Sequence, residues 1–301
     1  MFQPPALLHF DEDCNFASAV AQATGMQALP IQRHRFPDGE LKLRLPATLP
    51  QRVVLLRTLN DPNEKLVELL LVAGSARGAG VSHLTLVAPY LAYMRQDIAF
   101  NPGEVVSQRV VGHFLAGLFD AVITVDPHLH RVSTLQEAVP VTQAIVLSGA
   151  PLLADLIAQE RPGALLIGPD EESAQWIAQA ATRHGFDYGV CRKVRHGDRD
   201  VKVELPTVPV AGRAVVLLDD VASSGHTLAE ASKLLLSAGA TSVDVAVTHA
   251  LFAQGAIELV ASAGVQHIWS TDCIPHPSNT VSMAPRIAAA LSTICSTETA
   301  Q

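Results

Sequence analysis

The sequence predicts an α/β protein of two domains, and three observations carry that prediction. Short apolar, β-branched runs alternate with stretches of helical spacing almost throughout the chain, the pattern of parallel sheets covered by helices. The 301 residues suit two domains of ordinary size, each able to bury its own core. Hydrophobic residues at 49% and charged residues at 17% describe a compact chain rather than a disordered one.

Strands are expected at Ala6–Phe10, Val53–Thr58, Leu84–Ala88 and Val122–Val125 in the first half, from their β-branched and leucine-rich runs. In the second half they are expected at Leu165–Ile167, Ala214–Leu218, Val243–Thr248 and Ile268–Ser270. Between them, helical spacing marks Asn63–Ala73, Val105–Leu118, Pro151–Gln159, Ser173–Arg183, Leu228–Ala238 and Ile257–Ser262. Two stretches break the alternation. From Arg35 to Leu45 a Pro-Asp-Gly turn precedes period-two leucines at 41, 43 and 45, the mark of a hairpin. From Tyr188 to Leu205 a strand, a polar tip at Arg195-His-Gly-Asp198 and an alternating strand make a second one. The boundary falls near Ser148–Pro151, giving domains 1–148 and 149–301, with a last helix at 284–295 that could pack back on the first domain. Both halves run strand to acid to loop, as duplicated folds would. Ligands of such sheets gather beyond the carboxyl ends of strands, and Asp126, Asp170 and Asp219 each directly follow an apolar run.

Charge and cysteine usage narrow the function classes. With 29 acidic against 21 basic residues and no basic block, a nucleic-acid partner is not expected. An anionic substrate must then be held by local positive groups. The four cysteines (14, 191, 273 and 295) have neither metal-ligand spacing nor a paired framework, which points to a reducing compartment. No basic residue precedes Arg33 and no apolar run reaches membrane-spanning length, so the expected location is cytoplasmic, with no membrane partner.

The most informative segment is Ala214-Val-Val-Leu-Leu-Asp-Asp-Val-Ala-Ser-Ser-Gly-His-Thr227. An apolar strand ends in two carboxylates, and a small, hydroxyl-rich loop then opens a helix. Free backbone N–H groups at such a turn converge on one spot and suit a phosphate. Asp219 and Asp220 can accept hydrogen bonds from two neighbouring sugar hydroxyls, so one segment offers both halves of a ribose-phosphate site. It lacks the Gly-Lys-Ser/Thr ending of a nucleotide P-loop. A plain capped helix beside a surface acid pair is the generic alternative.

This segment resembles the phosphoribosyl-diphosphate (PRPP) loop shared by phosphoribosyltransferases and PRPP synthetases, with Ser224 where threonine is usual. The resemblance implies that Asp219 and Asp220 bind the ribose hydroxyls, and that Ser223, Ser224, Gly225, His226 and Thr227 hold the 5-phosphate. Five further stations are similar to the PRPP synthetases, in that family's order. Arg35-Phe-Pro-Asp-Gly-Glu40 resembles its adenine-nucleotide hairpin, implying ATP contacts for Phe36, Asp38, Gly39 and Glu40. Ala88-Pro-Tyr-Leu-Ala-Tyr-Met-Arg-Gln-Asp97 resembles its second ATP segment, with Arg95 and Gln96 on the nucleotide, and Phe100-Asn-Pro-Gly-Glu104 follows as in the family. Val125-Asp-Pro-His-Leu-His130 implies a metal-nucleotide contact for His128; nothing is assigned to His130, and no companion set for zinc is evident.

Ile167-Gly-Pro-Asp170 resembles the second metal station, with Asp170 as the carboxylate, although Glu171 and Glu172 stand where many members have glycines. Cys191-Arg-Lys-Val-Arg-His-Gly-Asp198 resembles the catalytic flap, implying that Lys193 and Arg195 stabilise the moving phosphoryl group. Two cations two residues apart on an extended segment share one side; alone they would be an ordinary solvated strand face.

The resemblance spans most of Phe36 to Thr227, and Thr248–Phe252 and Ser270–His276 also resemble the family's C-terminal region. It implies two phosphoribosyltransferase-like domains, each a mainly parallel sheet flanked by helices with hairpin excursions. The activity implied is that of a ribose-phosphate diphosphokinase of the shorter, archaeal-like type, using Mg2+, ATP and ribose 5-phosphate in a homo-oligomer. A phosphoribosyltransferase, which shares the Asp-Asp loop, and a non-catalytic regulatory subunit are the alternatives.

Overall fold

All strand pairs within the two main sheets are parallel, as strands separated by helices require. The computed structural model describes residues 4–195 and 201–297, with side chains described except at 193–195, 201–202 and 295–297. The chain divides into two units, Met1–Leu147 with Met283–Gln301, and Ser148–Ser282.

The first unit runs β1 (Ala6–His9), α1 (Cys14–Thr24), β2 (Gln27–Pro30), a hairpin of β3 (Gln32–Arg35) and β4 (Leu41–Arg44), then β5 (Arg52–Leu56) and α2 (Pro62–Gly78). It continues through β6 (His83–Ala88), α3 (Ser107–Leu118), β7 (Ala121–Val125), α4 (Leu135–Ala138) and β8 (Gln143–Leu147). Its sheet order is β2-β1-β5-β6-β7-β8, and β3 and β4 form a separate two-stranded sheet. The core gathers Leu8, Phe10, Val53, Leu55, Leu69, Val72, Leu84 and Leu86.

The second unit has α5 (Ala150–Glu160), β9 (Leu165–Gly168), α6 (Ala174–His184), β10 (Tyr188–Val190), a hairpin of β11 (Arg192–Arg195) and β12 (Val201–Glu204), then β13 (Ala214–Ala222) and α7 (His226–Ser237). It ends with β14 (Ser242–Ala250), α8 (Ala256–Ser262), β15 (Val265–Thr271) and β16 (Asn279–Val281). The order β10-β9-β13-β14-β15-β16 repeats that of the first unit strand for strand, and a detached hairpin again sits between the second and third strands in sequence. The fold is thus duplicated. Alternate residues of β13 feed opposite cores, Val215 and Leu217 one, Val216 and Leu218 the other. This is why the strand reads as an unbroken apolar run. The last helix, α9 (Ala284–Thr297), lies against α1, β7 and β8 of the first unit.

Two expectations change. The strand read as Ala214–Leu218 continues through both acids to Ala222, because β14 offers a ladder partner that far, Ala222 pairing with Ala250. The strand read from Tyr188 is two: β10 joins the main sheet on β9, and β11 pairs only with β12.

Candidate active site

In the second unit the carboxyl edge of the sheet carries the predicted acids together. Asp219 and Asp220 lie inside β13, Asp219 opposite Val247, and the Asp220 backbone N–H donates to Asp219 Oδ1 at 3.0 Å. Burial pushes the Asp219 carboxyl well above its ordinary value, and the like charges of Asp220 and Asp170 push the same way. Carboxylates crowded at one edge favour groups that donate protons or carry positive charge, such as sugar hydroxyls or a hard divalent cation with oxygen ligands.

The loop after β13 is held by backbone hydrogen bonds to the segment after β14. Leu251 and Phe252 N–H both donate to Ala222 O at 3.0 Å, and Ala253 N–H donates to Ser223 O at 2.9 Å. Gly225 turns the chain at φ +76, where a Cβ would meet Ala256 O at 3.1 Å and Val260 Cγ2 at 3.0 Å, so only glycine fits. With Gly225 as N-cap, the first turn of α7 has no capping side-chain hydrogen bond from that position. Its free N–H groups thus open toward the loop, as an anion site needs. His226 and Thr227 already belong to α7, two residues earlier than its expected start at Leu228.

Asp170 follows β9 and accepts from the Glu172 N–H at 3.1 Å, capping the short 3₁₀ turn Glu171–Ser173. Gly168 lets this turn close down, since a Cβ there would lie 2.1 Å from Ser173 Oγ. Glu171 and Glu172 are both exposed. Glu171 approaches Arg192 of β11 at 3.8 Å, a solvent-facing pair that contributes little. Lys193 and Arg195 fall on β11 by backbone, Lys193 opposite Val203 and Arg195 opposite Val201. Their side chains, and the tip at 196–200, lie outside the described residues.

In the first unit, the Phe36 N–H donates to Glu40 O and the Gly39 N–H to Phe36 O, both at 2.9 Å, closing the hairpin tip. The Glu40 N–H donates to Asp38 Oδ1 at 3.2 Å, and Gly39 adopts φ +95. Phe36 is 40% exposed and meets the His34 ring edge-on at 5.0 Å. Arg95 is exposed in the loop after β6, whereas Gln96 donates to Ile98 O at 2.9 Å. Asp97, the next residue, is ion-paired to Arg131 at 2.7 Å. The loop of Arg95 and Gln96 is therefore tied to the loop that follows His128. The imidazoles of His128 and His130 meet edge-on, ring centres 4.0 Å apart, after a strained Asp126 at φ +35. The hairpin is tied elsewhere, to α2 and the segment after β1.

Sequence reasoning missed several supports of these loops. Buried Gln108 at the start of α3 donates to Met94 O at 3.2 Å, and Tyr93 takes φ +63 with its hydroxyl on Asn63. Arg57, at the end of β5, is fully buried in a ring of acids. A polar residue closing an apolar run was the only available signal, and it marks a network as readily as a site.

Comparison with known proteins follows the same division. Residues 6–118 match the family described as the N-terminal domain of ribose phosphate pyrophosphokinase, and residues 136–269 match the phosphoribosyl transferase domain. A ribose-phosphate pyrophosphokinase of Methanopyrus kandleri is 34% identical over 289 residues, covering 95% of this chain and 98% of the relative. One from Methanosarcina mazei is 34% identical over 279 residues, covering 92% and 91%. The crystal structure of phosphoribosylpyrophosphate synthetase from Mycobacterium smegmatis superimposes with a TM-score of 0.83 over 97% of this chain and 99% of that one; at 22% identity this concerns the fold. With both halves matched in order and archaeal relatives matched over nearly their whole length, this chain belongs to the ribose-phosphate pyrophosphokinase family.

Proposed function

We propose that this chain transfers the diphosphoryl group of MgATP to the anomeric hydroxyl of ribose 5-phosphate, giving PRPP and AMP. The observation that carries the reading is the edge of β13, where Asp219 and Asp220 precede a backbone-held loop and an uncapped helix N-terminus. Ribose hydroxyls donate to the two carboxylates, and residues 223–227 receive the 5-phosphate. The adenine of ATP stacks on Phe36, with Asp38, Gly39 and Glu40 at the hairpin tip and Arg95 and Gln96 on the second nucleotide segment.

The anomeric oxygen attacks the β-phosphorus and forms a new P–O bond. The bond from that phosphorus to the oxygen it shares with the α-phosphorus breaks, AMP leaves with that oxygen, and the hydroxyl proton is released. Such a transfer depends on in-line positioning and on neutralising charge that spreads over the phosphoryl oxygens. Lys193 and Arg195 supply positive charge from the second hairpin. Asp170 in the second unit would offer an oxygen donor to Mg2+, and His128 in the first a nitrogen donor to metal-bound nucleotide, each within its own unit. A divalent cation held near the crowded carboxylates around Asp219 would supply charge neutralisation on the phosphates.

A homo-oligomer and a cytoplasmic location belong to the same proposal. Val67, Leu70 and Leu71 on α2 are exposed, apolar surface of the kind that subunit contacts use. No helix among the described residues is long and apolar enough to cross a membrane. The test is product analysis: the purified chain with MgATP and ribose 5-phosphate should form AMP and PRPP in equal amounts and no ADP. ADP formation, or consumption of PRPP with a free base in its place, would overturn the reading.

A further inference from the structure

The hairpin of β3 and β4 has no backbone hydrogen bond to the six-stranded sheet, and a lone two-stranded hairpin is marginal in water. Its second strand is anchored by Leu43, packed on the first core with Leu45 just beyond it. The first strand is exposed at all four residues, yet Arg33 and Arg35 alternate along it and share a face. Both reach acids. Arg35 pairs with Glu64 on α2, and Arg33 bridges Glu12 and Glu68, the latter at 2.5 Å.

Glu68 is no ordinary surface partner. It is fully buried, and its other oxygen takes two hydrogens from the fully buried Arg57, Nε at 2.8 Å and Nη2 at 2.7 Å. Arg57 Nη1 in turn holds Asp13 at 2.8 Å and approaches Glu12 at 3.5 Å. The ring Arg33–Glu68–Arg57–Glu12 closes on itself. The Phe10 ring lies against both guanidiniums, 4.5 Å from Arg57 and 5.7 Å from Arg33. Glu64 also lines, with Gly39, Glu40 and Leu41, an open cleft of about 410 Å³ against Val67 and Leu71.

We propose that Glu64 and Glu68 are positioning residues for the ATP hairpin: they fix Arg33 and Arg35 on a rigid helix and so set where Phe36 and Glu40 stand. The proposal rests on the reading of residues 36–40 as the nucleotide site. Glu68 holds its carboxylate in one orientation because Arg57 grips one oxygen, leaving the other for Arg33. Glu64 repeats the grip one helical turn earlier, and the Arg35 hydrogen bond holds its carboxyl below the ordinary range. Tip residues joined only through a short turn inherit the direction of β3.

Glu64→Gln and Arg35→Gln alter an exposed pair and leave the fold intact. Each should raise the KM for ATP about five- to tenfold through lost preorganisation, with the KM for ribose 5-phosphate within about twofold of wild type. The reversed pair, Arg35→Glu with Glu64→Arg, should recover most of the loss. Glu68→Gln, assayed well below its melting temperature, should raise the KM for ATP more than Glu64→Gln does. An unchanged KM for ATP, or a parallel rise for both substrates, overturns the assignment. Phe36→Ala separates the two layers. If it too leaves the KM for ATP unchanged, the nucleotide reading of the hairpin falls and the positioning role with it. If it raises that KM while Glu64→Gln and Glu68→Gln do not, the positioning role alone falls.

Discussion

β5 and β13 occupy the same place in the two copies of the fold, third in sheet order with a helix following, and they end in opposite chemistry. β5 is followed directly by Arg57, which is enclosed by Glu68 and Asp13 and stacked on Phe10. β13 carries Asp219 and Asp220, and the charged neighbours acting on Asp219 are further carboxylates. Burial raises the Asp13 carboxyl, but Arg57 opposes the rise; burial also raises that of Asp219, and Asp220 and Asp170 add to it. One edge has closed its electrostatics with its own residues. At the other, the like charges of Asp220 and Asp170 add to the burial of Asp219. The duplicated fold therefore carries a buried, acid-paired arginine at one copy of this position and adjacent carboxylates at the other.

The two hairpins divide in the same way. The cations of β3 are spent on acids of α2 and the segment after β1. The only described ion pair from β11 is the exposed Arg192–Glu171 contact, while the α7 residue Glu230 accepts weakly from the Val203 N–H at 3.4 Å. Each hairpin packs a residue of its second strand on a core, Leu43 in the first and Val203 in the second, and the first adds ion pairs to the acids of α2 and the segment after β1.

Breaking the closed edge should have the largest effect. Arg57→Ala leaves Asp13 buried without its paired guanidinium and Glu68 with Arg33 alone, and should cost about 3–5 kcal/mol of stability, read as a lowered denaturant midpoint. A loss below about 1 kcal/mol would mean that the ring is not closed as described. The second hairpin comes next. Lys193→Ala should lower kcat by about 10²–10³-fold, the range for removing one preorganised electrostatic donor. Calorimetric ATP affinity should change far less, because a hairpin that acts in the transition state adds little to ground-state binding. Near-wild-type turnover would reduce this hairpin to a solvated loop.

The smallest effect is the most diagnostic of the open edge. Because the folded chain raises the Asp219 pKa, it holds that proton more tightly than the unfolded chain does. Stability from this group is therefore greatest while it is protonated and falls as pH climbs from the ordinary aspartate range through the raised value. Asp219→Asn should be more stable than wild type at neutral pH, with the difference in urea midpoint shrinking toward pH 4 while activity is lost. A difference that is flat with pH, or that favours wild type, would show that the acids are compensated within the protein.

Much of this was legible in the sequence, for local reasons. The segment from Ala214 to Thr227 displays strand, acids, loop and helix within fourteen consecutive residues, and the Pro-Asp-Gly turn announces the first hairpin. The ring around Arg57 was not legible, because Glu68, Arg33 and Asp13 meet only across 11, 35 and 44 residues of chain. The end of β13 was misread since two adjacent carboxylates look like a strand terminus until β14 is seen to pair beyond them. The edge strands β2 and β16 bury none of their residues and lack the apolar run that betrays a central strand.

The central claim is that the open edge of β13 holds the two ribose hydroxyls, and acceptor discrimination tests it most directly. The kcat/KM ratio for ribose 5-phosphate over 2-deoxyribose 5-phosphate should be about 10–100 in the wild-type chain, the value of a hydrogen bond to a charged group. It should fall toward unity in Asp219→Asn or Asp220→Asn, whichever acid faces the missing hydroxyl. Equal use of both sugars by the wild type, or a ratio unchanged in both variants, would contradict the account.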